Sequence, residues 1–144
     1  MNSQQIIKPE KFNFNHIIFD AVSKNIIFED ISNDNDSKNM KKIINYWFDN
    51  KIKIDGFSGS LSVIVKNIDT NIIKKDQFFK FTINTTITFK LTTNDSIGKK
   101  THTINSSEFG ELTGNFSIKD QENLTLNVMH KTLINISNKL LSLN

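Results

Sequence analysis

The chain has no cysteine, no arginine, a single proline and five glycines in 144 residues. Without cysteine it can form no disulfide, thiolate zinc site, iron–sulfur cluster or cysteine nucleophile of its own. Without arginine it lacks the planar fork that grips phosphates and guanine edges, all 18 basic side chains being lysine. The basic excess is only +3, and the lysine doublets Lys41-Lys42, Lys74-Lys75 and Lys99-Lys100 are sparse beside a polybasic nucleic-acid or lipid-binding arm. Nucleic acid is therefore not an expected partner. No apolar run approaches the roughly 18 residues of a membrane span, and the first residues lack the basic start and apolar core of a signal peptide.

What is present suits one globular domain, since a chain of this length buries roughly two-thirds of the surface it exposes when unfolded. The 22 Ile and 20 Asn match the codon drift of an AT-rich genome and say little about function. They also account for the Asn-x-Ser/Thr triplets at Asn84, Asn105, Asn115, Asn123 and Asn135 as chance products. The polar start Met1-Asn2-Ser3-Gln4-Gln5 is of the kind left when an export signal has been removed. Residues 1–11 read as a flexible leader and 12–144 as a single domain.

Along the chain, Phe12 to Ala21 alternates with period two, and with Ile26 to Ile31 it reads as one long, bulged first strand. Met40, Ile43, Ile44, Trp47 and Phe48 fall on one helical stripe, with Asp36 or Ser37 as N-cap and Gly56 at the exit. A second strand follows, with Leu61, Val63 and Val65 on one face and Ile64 and Ile68 on the other. From Phe79 to Leu91 the odd positions are apolar apart from Thr85, and the even ones polar, which predicts an antiparallel strand of a sheet covered on one side. Asp95 to Lys100, with Gly98, reads as a hairpin turn, Lys100 to Ser107 as a polar edge strand, and Phe109 to Phe116 as an irregular link laying Phe109, Leu112 and Phe116 on the core. Leu126, Met129, Leu133, Ile136 and Leu140 recur at helical spacing to the end of the chain. The expected fold is α/β of the α+β type. It is a two-layer sandwich in the order β-α-β-β-β-α, with a mainly antiparallel sheet of about four strands packed by two helices.

Catalytic patterns are sparse. His16, His102 and His130 fall on three different elements with no local ligand partner, so no metal or other cofactor is expected. The glycines at Gly56 and Gly59 lead into a strand, where a phosphate loop would open a helix. Glu108 and Glu111 are the most conspicuous carboxylate pair, for which a solvated loop is the favoured reading over an acid–base pair. No G-x-S-x-G elbow occurs. The chain is read as a non-enzymatic binding domain contacting another protein or an apolar ligand, the alternative being a small cytosolic enzyme or nucleic-acid-associated protein. Partner contact is expected either in the groove between the Trp47 helix and the C-terminal helix, or along the polar edge strand around His102 and Thr103.

The segments Ile-Ile-Phe-Asp-Ala-Val, Ile-Ile-Asn-Tyr-Trp-Phe and Gly-Ser-Leu-Ser-Val-Ile-Val-Lys, followed by the long amphipathic strand and C-terminal helix, resemble small envelope lipoproteins of alphaproteobacteria over about residues 12–143. That resemblance implies an exported protein anchored through a lipidated cysteine that this chain does not carry. It also implies a periplasmic, outer-membrane-associated location, with another envelope protein as partner; a chain whose export signal never existed would be cytoplasmic.

Overall fold

A computed structural model describes residues 13–93 and 99–143. The proposed leader over 1–11 and all of the 95–100 turn except Lys99 and Lys100 lie outside the described residues. Eight elements follow one another: β1 (Ile17–Phe19), β2 (Ser23–Phe28), α1 (Asn35–Lys51), β3 (Ile52–Ile54), β4 (Ser60–Lys75), β5 (Phe78–Thr92), β6 (Lys99–Thr113) and α2 (Ile118–Leu141). The main sheet has the order β2-β4-β5-β6, with β2 and β4 parallel and the remaining pairs antiparallel. Both helices pack on one side of this open sheet, in the two-layer α+β arrangement that the periodicities predict.

The helices begin where side chains satisfy orphan amides. Asp34, not Asp36 or Ser37, caps α1: its carboxylate accepts from the Ser37 amide at 3.1 Å and from the Ser37 hydroxyl at 2.7 Å. Ser117 and Asp120 form a reciprocal capping box at the start of α2. The α1 stripe of Met40, Ile43, Ile44, Trp47 and Phe48 is buried throughout. The helix ends at Lys51, ahead of Gly56, because the chain immediately becomes β3. There Lys24 reaches across from β2 and donates to the Phe48 and Ile52 carbonyls at 2.6 and 2.7 Å.

The expected long first strand is two strands, β1 pairing with β3 and β2 with β4. A break at Asp20–Val22 lets the chain change partners. In β4 a register shift between Val65 and Asn67 reverses the parity, so Ile68 joins Leu61, Val63 and Val65 on the core face and only Ile64 stays opposite. On β5 the alternation holds: Phe79, Phe81, Ile83, Ile87 and Phe89 are buried beneath the helices. The irregular link expected at Phe109–Phe116 is instead the second half of β6 as far as Thr113. Phe109 therefore points to the open face and is exposed, while Leu112 and Phe116 pack on the core. Gly110 hides this strand from its sequence, and its reason is tertiary. A Cβ there would lie 2.7 Å from Leu124 Cδ1 and 2.9 Å from Val128 Cγ2, where α2 crosses the strand.

Candidate functional site

The outer edge of β6 is, among the described residues, a 15-residue free edge of the main sheet. Its sequence alternates around a buried Ile104 and Ser106, and several open-face residues are tied back to β5 through their side chains. Thr103 Oγ1 lies 3.0 Å from Thr88 Oγ1. Asn105 Nδ2 donates to Asn84 Oδ1 at 2.9 Å and to Thr86 Oγ1 at 2.7 Å. Lys80 stands 4.7 Å over the ring of Phe109 and 3.9 Å from Glu111. On the helix face, Asn135 of α2 donates to Ser106 Oγ at 2.9 Å and to Glu108 Oε1 at 3.2 Å. The strand is thus held rigidly on three sides.

Its fourth side carries backbone. In an antiparallel pair each residue either exchanges both main-chain bonds with its partner or turns both groups away. The Asn105 carbonyl accepts from Lys139 Nζ at 2.8 Å, which marks Asn105 as a residue whose groups face outward. The β5–β6 register runs without a break, so Thr101, Thr103, Ser107 and Phe109 share that phase. Among the described residues no strand pairs with this edge. A shallow groove of about 410 Å³ runs beside it, lined by His102, Thr103, Asn105 and, from α2 and its exit, Lys139, Ser142 and Leu143.

His102 and Thr103 are accordingly exposed, on opposite faces of the edge strand, and both border this groove. Trp47 lies elsewhere. Its ring has no exposed surface, packs edge-on to Phe89 with centroids 6.2 Å apart, and donates from Nε1 to Ser137 Oγ at 3.1 Å. That bond closes the seam between α1 and α2, so the indole is interior packing and not the wall of a groove. Glu108 and Glu111 do not form a pair: strand period two sends Glu108 toward α2 and Glu111 to the open face. His130 stacks edge-on to Phe14, at 4.9 Å between centroids, and burial lowers its pKa against an opposing hydrogen bond to the Asn13 backbone. Among the described residues no three His, Cys, Asp or Glu side chains come together as a metal site, and no helix is long and apolar enough to cross a membrane.

No protein-family model and no curated protein sequence matches the chain. Weak structural similarity exists to a minor lipoprotein from Acinetobacter baumannii, at 8% identity and TM-score 0.42 over 82% of this chain and 86% of that one. A neuraminyllactose-binding hemagglutinin homolog from Helicobacter pylori is similar at 11% identity and TM-score 0.37, over 95% and 92% of the two chains. One name is a lipoprotein's, and neither carries the alphaproteobacterial part of the resemblance. Similarity at this level assigns no function.

Lys139, Asn135 and Phe109 complete the edge, although the sequence offers Asn135 only as part of a chance triplet and Phe109 only as a core residue, and does not mark Lys139. The period-two phase of β6 runs on through Phe109 and Glu111, and Gly110 masks it. The two α2 residues belong to the site only because the helix crosses β6.

Proposed function

We propose that this chain is a non-enzymatic binding domain of the cell envelope, and that it takes an extended segment of another protein onto the free edge of β6. The observation that supports this is the exposed run of outward-facing backbone groups from Thr101 to Phe109, of which the Asn105 carbonyl is held by a single lysine. Such an edge binds by main-chain hydrogen bonds, and flanking side chains supply the selectivity. The rim is polar, which suits reversible contact better than an obligate interface. An apolar ligand between the helices would have to open the Trp47–Ser137 seam, and the edge needs no such change.

The experiment is selection of extended peptides from a displayed library on the folded protein, with Thr103→Pro as counter-test. Proline removes the outward-facing amide of Thr103 without taking a bond from the β5–β6 ladder. Selected peptides should bind the variant about tenfold or more weakly, with melting lowered by only a few degrees for the lost Thr88 bond. Peptides held equally well by both forms, or no peptides selected on protein that is monomeric at the selection concentration, would overturn the edge as the binding surface. The envelope location rests on the resemblance in element order, and the codons upstream of Met1 test it. A signal ending in cysteine is expected, and an uninterrupted cytosolic start would refute that part.

A further inference from the structure

The charge pattern along β6 names the strand that fits this edge. Resting on the strand-accepting reading above, we infer that the partner is a second copy of this chain, joined β6 to β6 in antiparallel fashion about a two-fold axis through Asn105. Lys99 and Lys100 open the strand, His102 follows, and Glu108 and Glu111 lie toward its other end. Antiparallel pairing of a strand with itself brings the lysine end against the glutamate end, with the His102 imidazole as a hydrogen-bond donor to a carboxylate.

The register follows from two conditions. Outward-facing residues must stand opposite outward-facing residues, so odd numbers pair with odd. Lysines must also meet glutamates, and the His102 imidazole a carboxylate that can accept its hydrogen bond. With Asn105 opposite its own copy, Lys99 faces Glu111 on the open face, His102 faces Glu108 on the helix face, and Thr103 faces Ser107. Symmetry repeats each pair. Displacing the strand so that Lys99 faces Phe109 loses both pairs and gains only Lys100 against Glu108. Displacing it the other way, with Lys99 facing Thr113, leaves no opposite charges in register. The side chains involved are accessible: Lys99, Lys100, His102 and Glu111 are exposed, and Glu108 is half-buried. Lys139 competes for the Asn105 carbonyl, which keeps the association reversible and discourages indiscriminate edge pairing.

Sedimentation equilibrium of the full chain, with charge-reversal and single-cysteine variants, tests this. The wild type should dimerise with concentration. Glu111→Lys sets like charges opposite Lys99 twice per dimer and should weaken dimerisation about tenfold, and the double variant Lys99→Glu/Glu111→Lys should restore it. Because the chain has no cysteine of its own, Asn105→Cys should cross-link to its copy under mild oxidation, while Thr103→Cys, displaced from its copy by four residues, should not. A wild type that remains monomeric, a double variant that fails to recover, or equal cross-linking at positions 103 and 105 would overturn the proposal. A monomer that still binds library peptides in a Thr103-dependent way would refute self-pairing and leave the strand-accepting reading standing. A monomer that binds none would refute both.

Discussion

His130 carries a pH dependence that its environment dictates. Its ring lies against Phe14, and burial holds its pKa below the ordinary histidine value of 6.5 despite a hydrogen bond to the Asn13 backbone that acts the other way. The unfolded chain then takes up a proton before the folded one does. The stabilising contribution is complete above pH 6.5 and is lost as the pH falls from 6.5 toward the depressed folded value. Acid groups with shifted values act elsewhere. Burial pushes Asp34 up, but hydrogen bonds from Ser37 and Ser32 together bring it below its ordinary 3.8, and Asp36 is raised by burial and by the Asp34 charge. Denaturant melts should therefore show the wild type losing stability between about pH 7.5 and about pH 5.5, and His130→Leu losing clearly less over the same interval. An unchanged slope in the variant would assign the pH dependence to another group.

At the scale of elements, Lys24 ties β2 to the C-terminal end of α1. Lys24 Nζ bonds the Phe48 and Ile52 carbonyls at the C-terminal end of α1 and sits 4.4 Å over the Phe48 ring. A cation at that end meets both orphan carbonyls and the negative pole of the helix. Burial lowers its pKa, partly offset by Asp49. Replacing it with Met keeps the aliphatic stem and removes the donors, and should cost about 1–2 kcal/mol by denaturant titration. The loss should be accompanied by faster amide exchange in the last turn of α1. Stability equal to wild type would show that water replaces the ammonium there without penalty. The helix stripes and the β5 alternation needed no such partner to be recognised, whereas the end of α1 depends on a residue 24 positions away from Phe48.

For the molecule as a whole, the two layers meet along the odd positions of β5. Phe81 and Ile87 are fully covered by the helices, whereas Thr86 faces the open side beside Asn105. Asp at either of the first two positions forces an unpaired carboxylate into the interior and should cost about 3 kcal/mol or more, enough to unfold much of the population of a marginally stable domain. Thr86→Asp should change stability by about 1 kcal/mol or less. Circular-dichroism melts rank the three, and the reverse ranking would contradict the placement of the core.

Local periodicity by itself determined the helical stripe around Trp47, the C-terminal helix, the one-sided β5 strand and hence the two-layer class, because each depends only on which neighbours along the chain are apolar. Tertiary structure decided the rest. The division of the first strand into β1 and β2 depends on which strands they pair with, and the parity of Ile68 on a register shift that no residue type announces. β6 carries a glycine at position 110 because Leu124 of α2, 14 residues further on, needs the space a side chain would fill. The candidate edge was half legible: the polar stretch at His102 and Thr103 marked an edge strand, but its outward phase is revealed by Lys139 on the Asn105 carbonyl. Trp47 was legible only as apolar. Whether its indole lined a groove or sealed one rested on Ser137, 90 residues away, and the hydrogen bond between them closes the seam.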